Sequence, residues 1–220
     1  MDRLEIRNLI RKGLGETTSA FWTDTELNGY INNSGHDVAE RSKCIKTSGY
    51  MTAIEDQYEY TATSYFPLII SMTELYFYQD GEAWHKLTSI NRTDKDILFP
   101  GWMSAESGTP THYTYDQEED KLTFYVPPDD ENVEASGVKI FYSQDFTDLT
   151  LDSATPAGIP FSLQLAMVDY AIATGYQHRG WNEKANDAWS KYFSRIGTYV
   201  AERHREKEDE TVIMKNYRNL

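Results

Sequence analysis

Five histidines, one cysteine and three groups of carboxylates are the side chains of this sequence that can do chemistry. His36, His85, His112, His178 and His204 fall on different expected elements. None pairs with another at i, i+4, the spacing that puts two imidazoles on one helix face for a metal. Cys44 has no sequence-adjacent histidine to draw off its proton and reads as a packed thiol. As the single cysteine it excludes an internal disulfide and any multi-cysteine zinc site. Two carboxylates suffice for glycoside hydrolysis when an apolar wall keeps one of them protonated. Asp94/Asp96, the cluster Asp116, Glu118, Glu119 and Asp120, and Asp129-Asp130-Glu131 all sit in polar stretches without such a wall. They read as solvated turns, and their spacing does not match an EF-hand. There is no phosphate-binding glycine loop, nucleophile elbow or kinase set. The expectation is a protein that is not an enzyme and uses no cofactor or metal.

Charge narrows the partners. Thirty-five Asp and Glu against 21 Lys and Arg give a formal net charge of −14, which disfavours adhesive binding to nucleic acid or an anionic membrane. The longest apolar run, Phe66-Pro67-Leu68-Ile69-Ile70, is far short of the roughly 20 residues that cross a bilayer. The first residues alternate charged and apolar side chains without the continuous core of a signal peptide, so a soluble protein of a reducing compartment, or one assembled there, is expected. Two features suit assembly instead. Arg3, Arg7 and Arg11, at i, i+4 and i+8, form a basic row on an acidic chain. That row either contacts an acidic neighbour or a passing phosphate backbone, or is an ordinary solvated face. At the other end, a charged spacer over 202–210 leads to Thr211, Val212, Ile213, Met214, Lys215, Tyr217 and Arg218. This short apolar segment cannot bury itself, and either suits strand addition or groove docking on a partner or is simply a floppy terminus.

The elements that position these residues follow from periodicity. Ile6, Leu9, Ile10 and Leu14 predict a helix over 3–14, and Thr23 with Glu26 predicts a capping box opening a second helix with Leu27, Tyr30, Ile31, Val38 and Ile45 on its stripe. The period then falls to two. Strands are expected over Tyr58–Tyr65, Thr73–Tyr78, Ala83–Ile90, Thr111–Tyr115, Lys121–Val126 and Val138–Ser143, with a hairpin turn at Asp80-Gly81. Pro160 opens a third long helix with Phe161, Leu165, Val168, Ile172 and Tyr176 on one stripe. After Gly180 a fourth carries Ala185, Ala188, Trp189, Tyr192, Ile196, Tyr199 and Val200. Phe161, Leu165, Val168, Ile172, Trp189, Tyr192 and Ile196 are the expected packing residues of an antiparallel helical hairpin. The fold class is therefore α+β. A body of two N-terminal helices (1–47) and a C-terminal hairpin (157–206) holds an inserted antiparallel β-sheet or sandwich lobe (48–156), followed by an extended tail (207–220).

The order of these pieces resembles a known family. Phe21-Trp22-Thr23-Asp24-Thr25-Glu26-Leu27 opens the second helix, Gly108-Thr109-Pro110-Thr111-His112-Tyr113 lies in the lobe, and Lys121-Leu122-Thr123-Phe124-Tyr125 runs to Pro127. Gly158-Ile159-Pro160 then leads to Asp169-Tyr170-Ala171. Together they resemble the head-to-tail adaptor, or connector, proteins of tailed bacteriophages over 1–206. The resemblance implies a virion protein at the head–tail junction, assembled in the host cytoplasm as a ring of about twelve copies beneath the portal protein. It further implies that 209–220 engages the portal, that the other face of the ring receives the next tail, stopper or nozzle component, and that double-stranded DNA passes through without sequence-specific binding. The alternative from the residues alone is a carbohydrate- or protein-binding module using the Tyr- and Trp-rich lobe, with Trp84, Trp102 and nearby tyrosines stacking on sugars.

Overall fold

A computed structural model describes residues 1–16, 21–79 and 83–217. In chain order the elements are α1 (Arg3–Leu14), α2 (Asp24–Ser42), β1 (Lys46–Met51), β2 (Glu59–Thr61), α3 (Ala62–Tyr65), β3 (Ile69–Tyr78), β4 (Trp84–Lys86) and β5 (Thr88–Ser89). There follow α4 (Arg92–Leu98), β6 (His112–Asp116), β7 (Lys121–Phe124), β8 (Val138–Gln144), α5 (Phe161–His178) and α6 (Asn182–Tyr217). They form two compact units, Met1–Ile45 with Phe146–Leu220, and Lys46–Asp145. Residues 146–156, expected with the lobe, are part of the helical unit.

In the helical unit, α1 and α2 both start with a capping box. Asp2 accepts the Glu5 N–H while Glu5 accepts the Asp2 N–H, and Thr23 and Glu26 repeat the exchange for α2. Each box satisfies orphan donors of the first turn. The α2 stripe is buried as its spacing predicts at Leu27, Tyr30, Ile31 and Val38, whereas Ile45, expected on the same stripe, is buried beyond the helix, which ends at Ser42. Gly35 on the same helix lets Phe146 come close: a Cβ there would lie 2.4 Å from the Phe146 ring. Helix α5 departs from the expected stripe. It buries Leu163, Ala166, Met167, Val168, Ala171 and Ala173, whereas Phe161 is 62% exposed and Leu165 and Ile172 are only half-buried. The correction has a simple cause: α5 contacts α1 and α2 on one side and α6 on another, so its buried surface is wider than one stripe and uses small residues for close approach. On α6, Ala185, Ala188, Tyr192 and Ile196 are buried and Trp189 is half-buried.

The second correction is at the C-terminus. The segment 207–217, expected as an extended tail, continues α6, which runs 36 residues to Tyr217. No glycine or proline follows Gly197, and Glu, Lys and Arg dominate 202–210, so propensity carries the helix through Val212 and Ile213. Arg218 lies outside the described residues.

Among the described residues, the β unit has eight strands in two four-stranded sheets, ordered β1-β8-β3-β4 and β2-β7-β6-β5. The pairings between these strands are antiparallel except β5–β6. The hairpin expected from 111–126 forms with Tyr113 opposite Phe124 and Asp116 opposite Lys121. Tyr76–Tyr78 pair with Trp84–Lys86, while the expected turn at Asp80-Gly81 lies outside the described residues. Tyr58–Tyr65 is not one strand: after β2 the chain turns into α3, with the Thr63 N–H and hydroxyl both donated to the Asp120 carboxylate. Met51, Tyr60, Phe66, Leu75, Phe77, Leu87, Tyr113, Leu122, Phe124, Val138 and Ile140 form one buried cluster drawn from both sheets. Alternation along each strand makes that possible, because every second residue faces the partner sheet. Gly49, in the unforeseen strand β1, leaves room for the Phe66 ring, which a Cβ would approach to 2.6 Å.

Candidate interaction surfaces

The basic row of α1 does not face outward. Arg7 and Arg11 are 6% and 7% exposed, and Arg3 is half-buried. Arg7 donates to both oxygens of Asp152 at 3.0 Å and to Asn28 Oδ1 at 3.0 Å, and lies 3.5 Å from Asp24. Arg3 reaches Asp152 at 2.8 Å and the Leu149 carbonyl at 2.6 Å. Arg11 pairs with Asp24 and Glu16 and donates to the Trp22 carbonyl. The three guanidiniums thus tie α1 to the start of α2 and to the segment leading into α5. The Arg3 and Leu4 N–H groups complete the tie by donating to the Ala154 and Asp152 carbonyls. The Arg7 and Arg3 hydrogen bonds hold the Asp152 carboxyl below its ordinary pKa, and Asp152 in turn raises that of Arg7. The row, expected as a subunit or portal contact or as a solvated face, commits these donors within the chain. Sequence spacing showed three arginines on one face but not that Asp24 and Asp152 fold onto it.

A polar seam crosses the helices. Tyr192 donates its hydroxyl to Asp37, which also accepts from Arg41 at 2.8 Å. Burial and that carboxylate push the Tyr192 phenol well above its ordinary pKa. Asp37, Arg41, Tyr170, Asn186, Trp189, Tyr192 and Phe193 line a cleft of about 510 Å³, with the Trp189 and Phe193 rings stacked 5.9 Å apart. Asp169 accepts from Arg195 at 2.7 Å, joining α5 to α6.

The residues suited to catalysis stay apart. His178 bonds Tyr30 at 2.6 Å, His36 lies 3.0 Å from Asp148, and His112 packs on Phe99. Cys44 is buried, and burial raises its thiol pKa, the opposite of an activated nucleophile. Asp116 accepts the Glu118 and Glu119 N–H groups and Asp120 holds Thr63, so this cluster builds a turn. Among the described residues no group of three His, Cys, Asp or Glu is placed to hold a metal. A cleft of about 600 Å³ in the β unit is lined by Ser71, Met72, Ile90, Tyr113, Tyr115 and Asp116, among others.

The aromatic residues of the β unit divide by face. Trp102, named above as a sugar-stacking candidate, is buried against Tyr58 and Tyr125. The outward face of the first sheet is different. Tyr50 of β1 stands opposite Lys139 of β8, Lys139 opposite Tyr76 of β3, and Tyr76 opposite Lys86 of β4. Tyr50 is 51% and Trp84 41% exposed, and Trp84 lies 5.4 Å from Tyr78 and 6.1 Å from Tyr50. The Lys139 ammonium sits over the Tyr50 and Phe141 rings at 5.5 and 5.0 Å. Lys86 lies over Tyr76 at 5.9 Å and pairs with Glu74 at 2.6 Å. The i, i+2 pairs Tyr76/Tyr78, Trp84/Lys86 and Lys139/Phe141 were the available signal; only the register aligns them.

The family model described as SU10 adaptor protein matches residues 1–214. No curated protein matches the chain. Among the described residues no helix is long and apolar enough to cross a membrane.

Proposed function

The chain belongs to the SU10 adaptor protein family, a family of phage head–tail adaptors, and from that premise we propose that it forms a ring beneath the portal and links capsid to tail. The observation that carries this reading is the family match, which runs through both units and most of α6. The ring holds about twelve copies, with the portal on one face and the next tail component on the other, and double-stranded DNA passes through its channel during packaging and ejection. A net charge of −14 per copy supports such a passage: an acidic wall repels phosphate and lets the duplex slide.

Portal docking falls to the C-terminal segment carrying Thr211, Val212, Ile213, Met214, Lys215, Tyr217 and Arg218. Helix α6 is twice the length of α5, 36 residues against 18. It docks as a helix, apolar side chains into a groove, in place of an added strand. The test is capture from an infected lysate with mass spectrometry, comparing the full chain with one ending at Glu208. Portal recovered by the full chain alone is the expected result. Portal recovered by both chains removes the docking role from 209–220, and recovery of no virion protein overturns the adaptor ring.

A second reading, a carbohydrate- or protein-binding module, draws on the exposed Tyr50 and Trp84 rings. Glycans captured in place of portal would favour it.

A further inference from the structure

We propose that the outward face of the β1-β8-β3-β4 sheet docks the acidic β6–β7 turn, Asp116–Asp120, of a neighbouring copy. The inference rests on the ring reading and assigns it a contact surface. Among the described residues of these four strands, Lys46, Lys86 and Lys139 share this face with one carboxylate, Glu74, on a chain whose net charge is −14. Local positive charge on an acidic chain selects an acidic occupant. Lys86 already has Glu74, whereas Lys139 has aromatic rings beneath it and no ion pair with a carboxylate among the described residues. Tyrosine and tryptophan beside such a cation provide apolar area with little conformational entropy to lose.

The chemistry of the face excludes weaker candidates. Duplex DNA offers stacked bases that exposed rings cannot reach, and the charge of the whole chain repels it. A sugar ring would have to displace the ammonium groups already seated over Tyr50 and Tyr76.

The occupant is preformed on the same chain. Gln117, Glu118 and Glu119 are exposed at the tip of the β6–β7 turn. Asp116 fixes that tip by accepting the Glu118 and Glu119 N–H groups, and Asp120 anchors its far side, at φ +53°, to Thr63. A rigid turn loses little freedom on docking. It belongs to the second sheet, against which the first sheet packs its inner face, so it cannot fold over the outward face of its own copy. Two unlike, complementary patches on one unit make a head-to-tail contact, the kind that repeats around a ring.

The test uses two full-length variants, Trp84→Cys and Glu118→Cys, each with Cys44→Ala to remove the native thiol. Mixed and treated with a short bismaleimide, they are expected to give covalent dimers that neither gives alone. A mixture that sediments as oligomers without such dimers overturns the proposal, as does a chain that stays monomeric at its highest soluble concentration. Lys139→Glu is expected to weaken self-association by about tenfold or more, and adding Glu118→Lys to restore it; absence of restoration discards the turn as occupant. Portal capture from infected lysate separates the two levels. Portal recovered while crosslinking fails removes this surface alone, and crosslinking without portal removes the adaptor reading alone.

Discussion

In the helical unit Arg7 and Arg11 are 6% and 7% exposed and spend their donors on Asp152, Asp24, Glu16 and Asn28 of the same chain. In the β unit Lys139 stands on an outward sheet face, over two aromatic rings and without an ion pair to a carboxylate among the described residues. The contrast follows from side-chain chemistry. A guanidinium presents a planar fork that satisfies several acceptors at once and tolerates burial when they are present. An ammonium is more strongly hydrated, and on a pleated face it keeps its head in water while its stem covers apolar surface. The arginines therefore hold the unit together, while Lys139 keeps its ammonium on the outward face over aromatic rings.

Four measurements sharpen or break this contrast. The largest effect belongs to the apolar core of the β unit. Phe77→Ala removes a fully buried ring packed on Phe124 and should cost about 3–5 kcal/mol in denaturant unfolding. A loss under about 1 kcal/mol would mean that the two sheets do not share one core. Next comes the arginine tie: Arg7→Met keeps the stem, leaves Asp152 and Asn28 short of a donor, and should cost about 2–3 kcal/mol, moderated because Asp152 is half exposed. An unchanged unfolding midpoint would return the row to the surface.

The third is a pH profile. The folded-state pKa of Asp152 is depressed, so its contribution to stability is complete above the ordinary carboxylate pKa and is lost as pH falls below about 4. Asp152→Asn should lower stability at neutral pH and flatten the acid limb; an unaltered acid limb would remove Asp152 from the tie. The smallest effect is the most diagnostic for the lysines. Lys139→Ala should leave the unfolding free energy of the dilute monomer within about 0.5 kcal/mol of the parent chain. A loss well beyond that would make Lys139 a stabilising group like Arg7.

Much of the architecture was written in the chain. The capping box at Thr23 and Glu26, the buried positions of α2, the 111–126 hairpin and the α+β class all follow from short-range rules, because caps, turns and periodicity act over a few residues. Local rules failed where two tendencies competed. Val212-Ile213 read as a strand, yet the absence of helix breakers before it carries α6 to Tyr217. Tyr58–Tyr65 alternates like a strand, yet Asp120, 57 residues beyond Thr63, bends it into α3.

The interaction surfaces divide along the same line. That the chain is acidic, that no expected element gathers catalytic groups and that three arginines share a face of α1 were fixed by composition and spacing. Whether those arginines met solvent or carboxylates depended on Asp152, 145 residues beyond Arg7, which no local pattern pairs with it. The Tyr50–Lys139–Tyr76–Lys86 row likewise draws on four strands whose register is set by pairing across the sheet. Periodicity assigns a residue to a face, but only tertiary pairing decides which residues from distant segments share it.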